Sequence, residues 1–138
     1  MGVCLMNKIT SKYGIIAVEA ACAASNGVDP EMAWEASAAK IFAHSPTSEH
    51  KPCPKSTFLG LAELGEIAGV KPGEYTTSID NKRYAKDALA LLRENESRSN
   101  DPLALWKRVM GGVDKKHNSQ MEVVIALWEE RKFVGQRE

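Results

Sequence analysis

The residues best able to do chemistry gather around Cys53, which lies between Pro52 and Pro54. An apolar helical pattern starts right after Pro54, so we predict that Cys53 is the N-cap of a helix and Pro54 its first residue. The unpaired N–H groups and positive dipole end of a helix N-terminus favour the thiolate, the nucleophilic form of cysteine. Lys55 would add positive charge, and a histidine could serve as the base. The candidate catalytic residues are Cys53, Lys55, His50 and His117.

The same cysteine also fits a structural role, because a small side chain between two prolines can be packed or idle. No family-specific cysteine motif surrounds it, and the chain has no Gly-rich phosphate loop, dinucleotide fingerprint or serine nucleophile elbow. A zinc site built from His44, His50 and Cys53 would need a distant fourth ligand. The sequence therefore predicts no metal and no cofactor.

A second polar motif, His117-Asn118-Ser119, precedes the last predicted helix. Asn118 and Ser119 are candidate binding residues, although their simplest role is helix capping. Ser119 with Glu122 three residues later matches a capping box. A functional interpretation would place His117 beside Cys53, within hydrogen-bond reach of the thiol or one water away.

Composition narrows the class of protein that carries these motifs. The chain has 138 residues, 43% of them hydrophobic, which suits one soluble domain. No apolar run approaches the ~18 residues of a membrane span. Three cysteines are an odd number and form no evident disulfide framework, so a cytoplasmic location is predicted. A net charge of zero makes nucleic acid an unlikely partner and leaves a protein partner or a homo-oligomer.

Helical periodicity and capping signals predict an all-α, compact single domain of about six short helices. The predicted order is a lead-in over 1–11, a helical domain over 12–133 and a tail over 134–138. Residues 45–53 and 96–100 are predicted as loops. The predicted helices begin near Lys12, Pro30, Pro54, Ser78 or Asp80, Pro102 and Ser119, and end near Ser25, Ala43, Ala68, Asn95, Met110 and Lys132.

The two halves, 12–69 and 79–133, carry matching signals in the same order. Lys12-Tyr13 parallels Arg83-Tyr84, and Asp29-Pro30-x-x-x-Trp34 parallels Asp101-Pro102-x-x-x-Trp106. Leu61-x-Glu63-x-x-x-Ile67 parallels Leu127-x-Glu129-x-x-x-Phe133. These parallels favour a duplicated three-helix unit, in which two copies pack about a pseudo-twofold axis to bury faces that neither buries alone.

A helix-turn-helix is a further interpretation of the segment from Leu61 to Ser78. Its would-be recognition helix, 71–77, is short, contains Gly73 and brings little positive charge. A DNA-binding role is therefore the weakest of the functions considered.

Two runs of sequence carry a resemblance to a known family. They are Cys53-Pro54-Lys55-x-x-Phe58-Leu59-Gly60-Leu61 and His117-Asn118-Ser119-Gln120-Met121-x-Val123-Val124-x-Ala126-Leu127-Trp128. The chain resembles a family of small bacterial proteins of unknown function from about Lys12 to Phe133. The resemblance implies a single compact bacterial domain and assigns no catalytic residue.

Three functions follow from these observations, in decreasing order of support. The first is a non-enzymatic cytoplasmic binding or regulatory module that recognises another protein or associates with itself. The second is a thiol-dependent enzyme or redox sensor that uses Cys53. The third is a helix-turn-helix DNA binder.

Overall fold

The structure is a computed structural model that describes residues 11–136. Over that range it consists of α-helices and one 3-10 helix, with a single antiparallel bridge between Ile67 and Phe133. The prediction of an all-α single domain is confirmed. The elements are α1 (Lys12–Ser25), α2 (Pro30–Ile41), α3 (Pro46–Glu49), α4 (Pro52–Glu63), α5 (Ile79–Glu94), a 3-10 helix (Glu96–Asn100), α6 (Pro102–Met110) and α7 (Gln120–Glu129).

Three helices begin where the sequence predicts because their caps are local. Ser11 accepts a hydrogen bond from the Gly14 N–H (3.3 Å) and starts α1. Asp29 and Asp101 cap α2 and α6 by accepting from backbone N–H groups three residues on, at 3.2 and 3.1 Å. A proline follows each of these aspartates and occupies the first helical position, where its missing N–H leaves no bond unmade.

The predicted boundaries of the central helix are wrong at both ends. Lys51 is the N-cap of α4, and Cys53 lies inside the first turn between Pro52 and Pro54. Both prolines fit there because the first N–H groups of a helix have no intrahelical partner. α4 ends at Glu63 rather than Ala68, because Gly65 adopts a positive φ of 76° and closes the helix.

Short helical turns replace the two predicted loops. Residues 45–53 contain α3 and the start of α4, and residues 96–100 form the 3-10 helix. In the 3-10 helix, Asn95 accepts hydrogen bonds from both the N–H and the hydroxyl of Ser97, at 3.1 and 2.7 Å. Such single turns have no apolar periodicity that a sequence pattern could reveal.

Two helical hairpins, α1–α2 and α5–α6, pack around the pair α4 and α7. The α4 helix packs mainly on α5, whereas α7 packs mainly on α1. The third helix of each predicted half therefore covers the first helix of the other half. At the α4–α5 crossing, a Cβ on Gly60 would lie 2.8 Å from the Cα of Lys82, so only glycine permits this approach.

The segments after α4 and α7 pair with each other through matched backbone bonds. The Ala68 N–H donates to the Lys132 carbonyl and the Val134 N–H donates to the Glu66 carbonyl, both at 2.9 Å. Gly65 and Arg131, which occupy corresponding places after the two helices, both have positive φ. This local correspondence agrees with the matched signals in the sequence, and duplication of the whole three-helix unit stays a prediction.

The would-be recognition helix of a helix-turn-helix does not exist. Residues 70–78 have no regular secondary structure, and the next helix begins only at Ile79. Gly73 and the preceding Pro72 both disfavour helix in this segment. The interpretation of Leu61 to Ser78 as a helix-turn-helix is wrong.

Candidate functional site

A cleft of about 520 Å³ opens beside the first turn of α4. One wall comes from the start of α2, the floor from α4 and the opposite wall from the extended chain before α5. The lining is a mixture of charged, hydroxyl and apolar groups. The lining residues are Glu31, His50, Pro52, Lys55, Ser56, Leu59, Glu74, Tyr75, Thr76 and Thr77.

Lys55 reaches across the cleft to α2. Its Nζ lies 3.0 Å from Glu31 Oε2 and 2.9 Å from Glu35 Oε2. Burial of the ammonium works against its charged form, but the hydrogen bonds to Glu35 and Glu31 outweigh burial and raise the pKa of Lys55. The positive charge of Lys55 is therefore paired with two carboxylates of α2. It is not directed at the Cys53 thiol, as the sequence suggested.

Glu63 at the end of α4 fixes the extended wall in position. Its Oε1 accepts hydrogen bonds from the N–H groups of Tyr75 (2.9 Å) and Thr76 (3.1 Å), and its Oε2 pairs with the Lys82 ammonium. The bond from Lys82, followed by the two backbone bonds, lowers the pKa of Glu63 to about 2. The Tyr75 hydroxyl adds a bond to the Lys71 carbonyl at 2.7 Å.

His50 lies in the cleft with a mostly exposed side chain, 74% accessible. Its Nε2 is 3.9 Å from the Glu49 carboxylate on the preceding short helix. Within residues 11–136, no hydrogen bond joins His50 to Cys53. His50 is therefore placed to meet a ligand in the cleft and is not paired with the thiol.

Cys53 is a free, half-buried thiol in the first turn of α4, and it is not among the residues that line the cleft. Its carbonyl oxygen accepts the Thr57 hydroxyl at 2.8 Å. A cation that sequence reasoning missed, Lys115, interacts electrostatically with this thiol. Contact with Tyr84 is the main cause that raises the pKa of Lys115, and the electrostatic effect of Cys53 adds to it.

His117 has a structural task that explains its place before α7. Its Nε2 accepts the Met121 N–H at 3.1 Å and so caps the helix, while its ring packs on Trp106 with centroids 5.1 Å apart. Burial lowers the pKa of His117 and keeps the imidazole neutral, as this acceptor role requires. The nitrogen that would act as a base toward Cys53 is thus already engaged.

The predicted capping box at Ser119 is wrong. Ser119 has a φ of 68° and makes no side-chain cap bond, and Glu122 accepts instead from the Ser11 hydroxyl at 2.7 Å. The imidazole of His117 takes the capping role by accepting the Met121 N–H.

Gln120, which sequence reasoning passed over, organises the loop that carries the two candidate binding residues. Its side chain is 1% exposed, accepts the Asn118 N–H at 2.6 Å and donates to Asn81 Oδ1 at 3.2 Å. Asn118 thereby joins a network that ties the start of α7 to α5, and Ser119 makes no bond to Gln120 or Asn81. No signal in the sequence marks a lone glutamine as buried.

One family model matches residues 10–134, nearly the whole chain. The chain belongs to DUF6979, a family of unknown function. The family resemblance expected from the two motifs is confirmed. No curated protein matches the chain, and no solved structure matches it.

In this DUF6979 chain, the first motif is largely explained by packing around α4. Phe58 is fully buried against Trp34, with ring centroids 5.4 Å apart, and Gly60 permits the approach of α5. In the second motif, His117 and Gln120 hold the start of α7. Among the residues that the structure describes, no group of three His, Cys, Asp or Glu side chains is placed to hold a metal, and no helix could cross a membrane.

The structure brings together only part of the predicted DUF6979 site. His50 and Lys55 share the cleft, whereas Cys53 and His117 do not line it. The cleft also contains Glu31, Glu74 and Tyr75, which sequence reasoning missed. Glu74 and Tyr75 lie in an irregular segment without periodicity, so only the tertiary contact with Glu63 could have located them.

Proposed function

We propose that the protein is a non-enzymatic binding module whose cleft takes a basic segment of a partner protein. The supporting observation is the balance of charge at the cleft. Glu31 and Glu74 line it and Glu35 borders it, against the single ammonium of Lys55. A lining with excess carboxylate attracts a lysine or arginine side chain and repels an acidic one.

An extended wall suits a polypeptide better than a compact metabolite. The N–H groups of Tyr75 and Thr76 are turned inward to Glu63. In the part of the chain that the structure describes, no hydrogen bond engages the carbonyl oxygens of residues 74–77. Free carbonyls along an extended wall can accept main-chain N–H groups or basic side chains of a bound segment.

Binding is favoured over catalysis because two charged groups at the cleft, Lys55 and Glu63, already have partners. Lys55 is paired with two carboxylates, and Glu63 is held by Lys82 and two backbone N–H groups. A catalytic acid or base needs a free position from which to exchange a proton with substrate. A bacterial, cytoplasmic setting belongs to this proposal, supported by the family resemblance.

We expect a short Lys- and Arg-containing peptide to bind at the cleft, as measured by NMR titration of the ¹⁵N-labelled protein. Chemical-shift changes should concentrate at Lys55 and residues 74–77, and an acidic peptide of the same length should produce none. Glu74→Gln should weaken binding on the order of 3–10-fold, because it removes an exposed carboxylate that makes no ion pair with any residue the structure describes.

Asp87→Asn is the matched control, since it makes the same change of charge on the exposed face of α5. Binding by this variant should equal that of the unmodified protein. Equal responses to the basic and acidic peptides, or shifts that avoid the cleft, would rule out the proposed site. Detection of one oligomeric species without added peptide, together with chemical-shift changes at the same residues on dilution, would indicate self-association instead.

A thiol-dependent function is a second proposal. It is supported by Cys53 being free, partly exposed and in electrostatic interaction with Lys115. The rate of Cys53 alkylation against pH tests it. A rate transition well below pH 8 that is lost on unfolding and weakened by Lys115→Met would favour thiol chemistry. A slow, featureless profile would leave the binding module as the function.

A further inference from the structure

Two carboxylates share one ammonium at the α2 wall of the cleft. Glu31 and Glu35 lie one turn apart on α2, and each places its Oε2 atom within 3.0 Å of Lys55 Nζ. Two carboxylates against one ammonium leave one net negative charge at this wall. The group can therefore take one further cation while Lys55 stays in place.

Both carboxylates are open to a ligand in the cleft. The Glu31 side chain is 51% exposed and the Glu35 side chain is 58% exposed, whereas that of Lys55 is only 23% exposed. Within residues 11–136, Lys55 is the one cation paired with either carboxylate, and it contacts a single oxygen of each. The second oxygen of each carboxylate can accept a hydrogen bond from a bound side chain.

Tyr75 supplies an aromatic side chain on the opposite wall. It is half-buried and lines the cleft. Its hydroxyl donates to the Lys71 carbonyl at 2.7 Å and its N–H donates to Glu63 Oε1 at 2.9 Å, so both ends of the residue are held. The floor between the two walls includes the buried side chain of Leu59. The cleft thus combines paired carboxylates, an apolar floor and an aromatic ring.

We propose that the basic segment presents an arginine, whose guanidinium bridges Glu31 and Glu35 and stacks on the ring of Tyr75. This inference rests on the proposed binding of a basic segment and adds which basic side chain the cleft selects. A planar guanidinium carries five N–H donors, so it reaches two carboxylates at once and keeps a face for the ring. The methylene groups of the arginine lie along Leu59.

A lysine fits the same place less well. Its ammonium is a compact and strongly hydrated point charge, which gains most between two carboxylates. The Lys55 ammonium already occupies that position between Glu31 and Glu35. A second ammonium is left with one carboxylate oxygen at a time, and it has no planar face to stack on the ring.

Three peptides that differ at one side chain test the selection. The single basic position is arginine, lysine or citrulline, which has the shape of arginine without its charge, and each peptide is titrated into the ¹⁵N-labelled full chain. The arginine peptide should bind on the order of 5–10-fold more tightly than the lysine peptide. Its chemical-shift changes should extend from residues 74–77 to Glu31 and Glu35. The citrulline peptide should bind more weakly than both, because it lacks the charge that the carboxylates attract.

Substitutions in the protein assign the preference to the named side chains. Tyr75→Leu should reduce the preference for arginine over lysine to about 2-fold or less, because the stacking partner is lost. Tyr75→Phe keeps the ring and loses only the hydroxyl bond, so it should restore the preference. Glu35→Gln should also reduce it, since the guanidinium no longer bridges two carboxylates. Asp87→Asn makes the same change of charge on the exposed face of α5 and should leave the preference unchanged.

The outcomes separate this inference from the binding function on which it rests. Equal affinities of the arginine and lysine peptides at the cleft overturn the arginine site and leave the binding of a basic segment standing. A preference for arginine that survives both Tyr75→Leu and Glu35→Gln also overturns the site, since other groups then select the side chain. If none of the three peptides shifts residues of the cleft, the arginine site and the binding of a basic segment both fail.

Discussion

Phe133→Ala lowers the free energy of unfolding by about 3–5 kcal/mol, the range for removing a buried aromatic ring. Phe133 is 1% exposed although it lies beyond the end of α7. Its ring packs against Trp128 with centroids 6.4 Å apart, and its backbone bridges to Ile67 after α4. A cavity at this position would loosen the contact between the two halves of the chain. Urea denaturation followed by circular dichroism measures the loss.

Val134→Ala is the matched control. Val134 is the next residue and is 50% exposed, and its backbone N–H bond to the Glu66 carbonyl survives the substitution. We expect a loss below about 1 kcal/mol, as for most surface substitutions. Equal losses for the two variants would show that the bridge is a surface contact and not part of the core.

Helix starts that depend on neighbouring residues could be predicted from the sequence. The starts of α2 and α6 are two examples. In each, an aspartate (Asp29 or Asp101) accepts a hydrogen bond from a free backbone N–H, and the proline after it (Pro30 or Pro102) has no N–H to leave unpaired. The α4 start differs because three consecutive residues, Pro52, Cys53 and Pro54, all suit a first helical turn. Local chemistry does not distinguish their registers, and the predicted register was off by two residues.

Contacts between distant segments could not be predicted in the same way. The imidazole of His117 replaces Ser119 as the cap of α7, and this depends on a left-handed residue and on packing against Trp106. Ile67 and Phe133 were recognised as matching positions of two halves, but a repeat pattern does not say that matching residues pair. Register across such an interface is set by tertiary packing, which no short window of sequence contains.

The candidate site was predicted in part for the same reason. Proximity in sequence to Cys53 singled out His50 and Lys55, and both do lie in one cleft. The direction of the Lys55 side chain depends on Glu31 and Glu35, which belong to a different helix. The residue types therefore indicated where charged side chains lie, but they did not indicate which side chains pair with them.

Glu63→Gln removes a pH-dependent contribution to stability, because the pKa of Glu63 is about 2 in the folded protein against 4.5 for the ordinary side chain. A depressed folded pKa adds stability above pH 4.5, and this stability is lost as the pH falls toward 2. Part of the shift is screened by solvent, so we expect a loss on the order of 2 kcal/mol at pH 7. Near pH 2 the variant and the unmodified protein should be equally stable.

Glu129→Gln provides the comparison. Glu129 holds the corresponding place in α7, but within residues 11–136 its side chain accepts only the Ser99 hydroxyl, at 2.9 Å. Its substitution should cost less than half as much and leave the slope of stability between pH 2 and 4.5 unchanged. Urea midpoints measured across that interval separate the two variants. If Glu63→Gln kept the full acid slope, the carboxylate would not be the anchor of residues 75 and 76. If the slope flattens, the same variant should also weaken binding of the basic peptide, because the extended wall of the cleft would then lose the two bonds that hold it to Glu63.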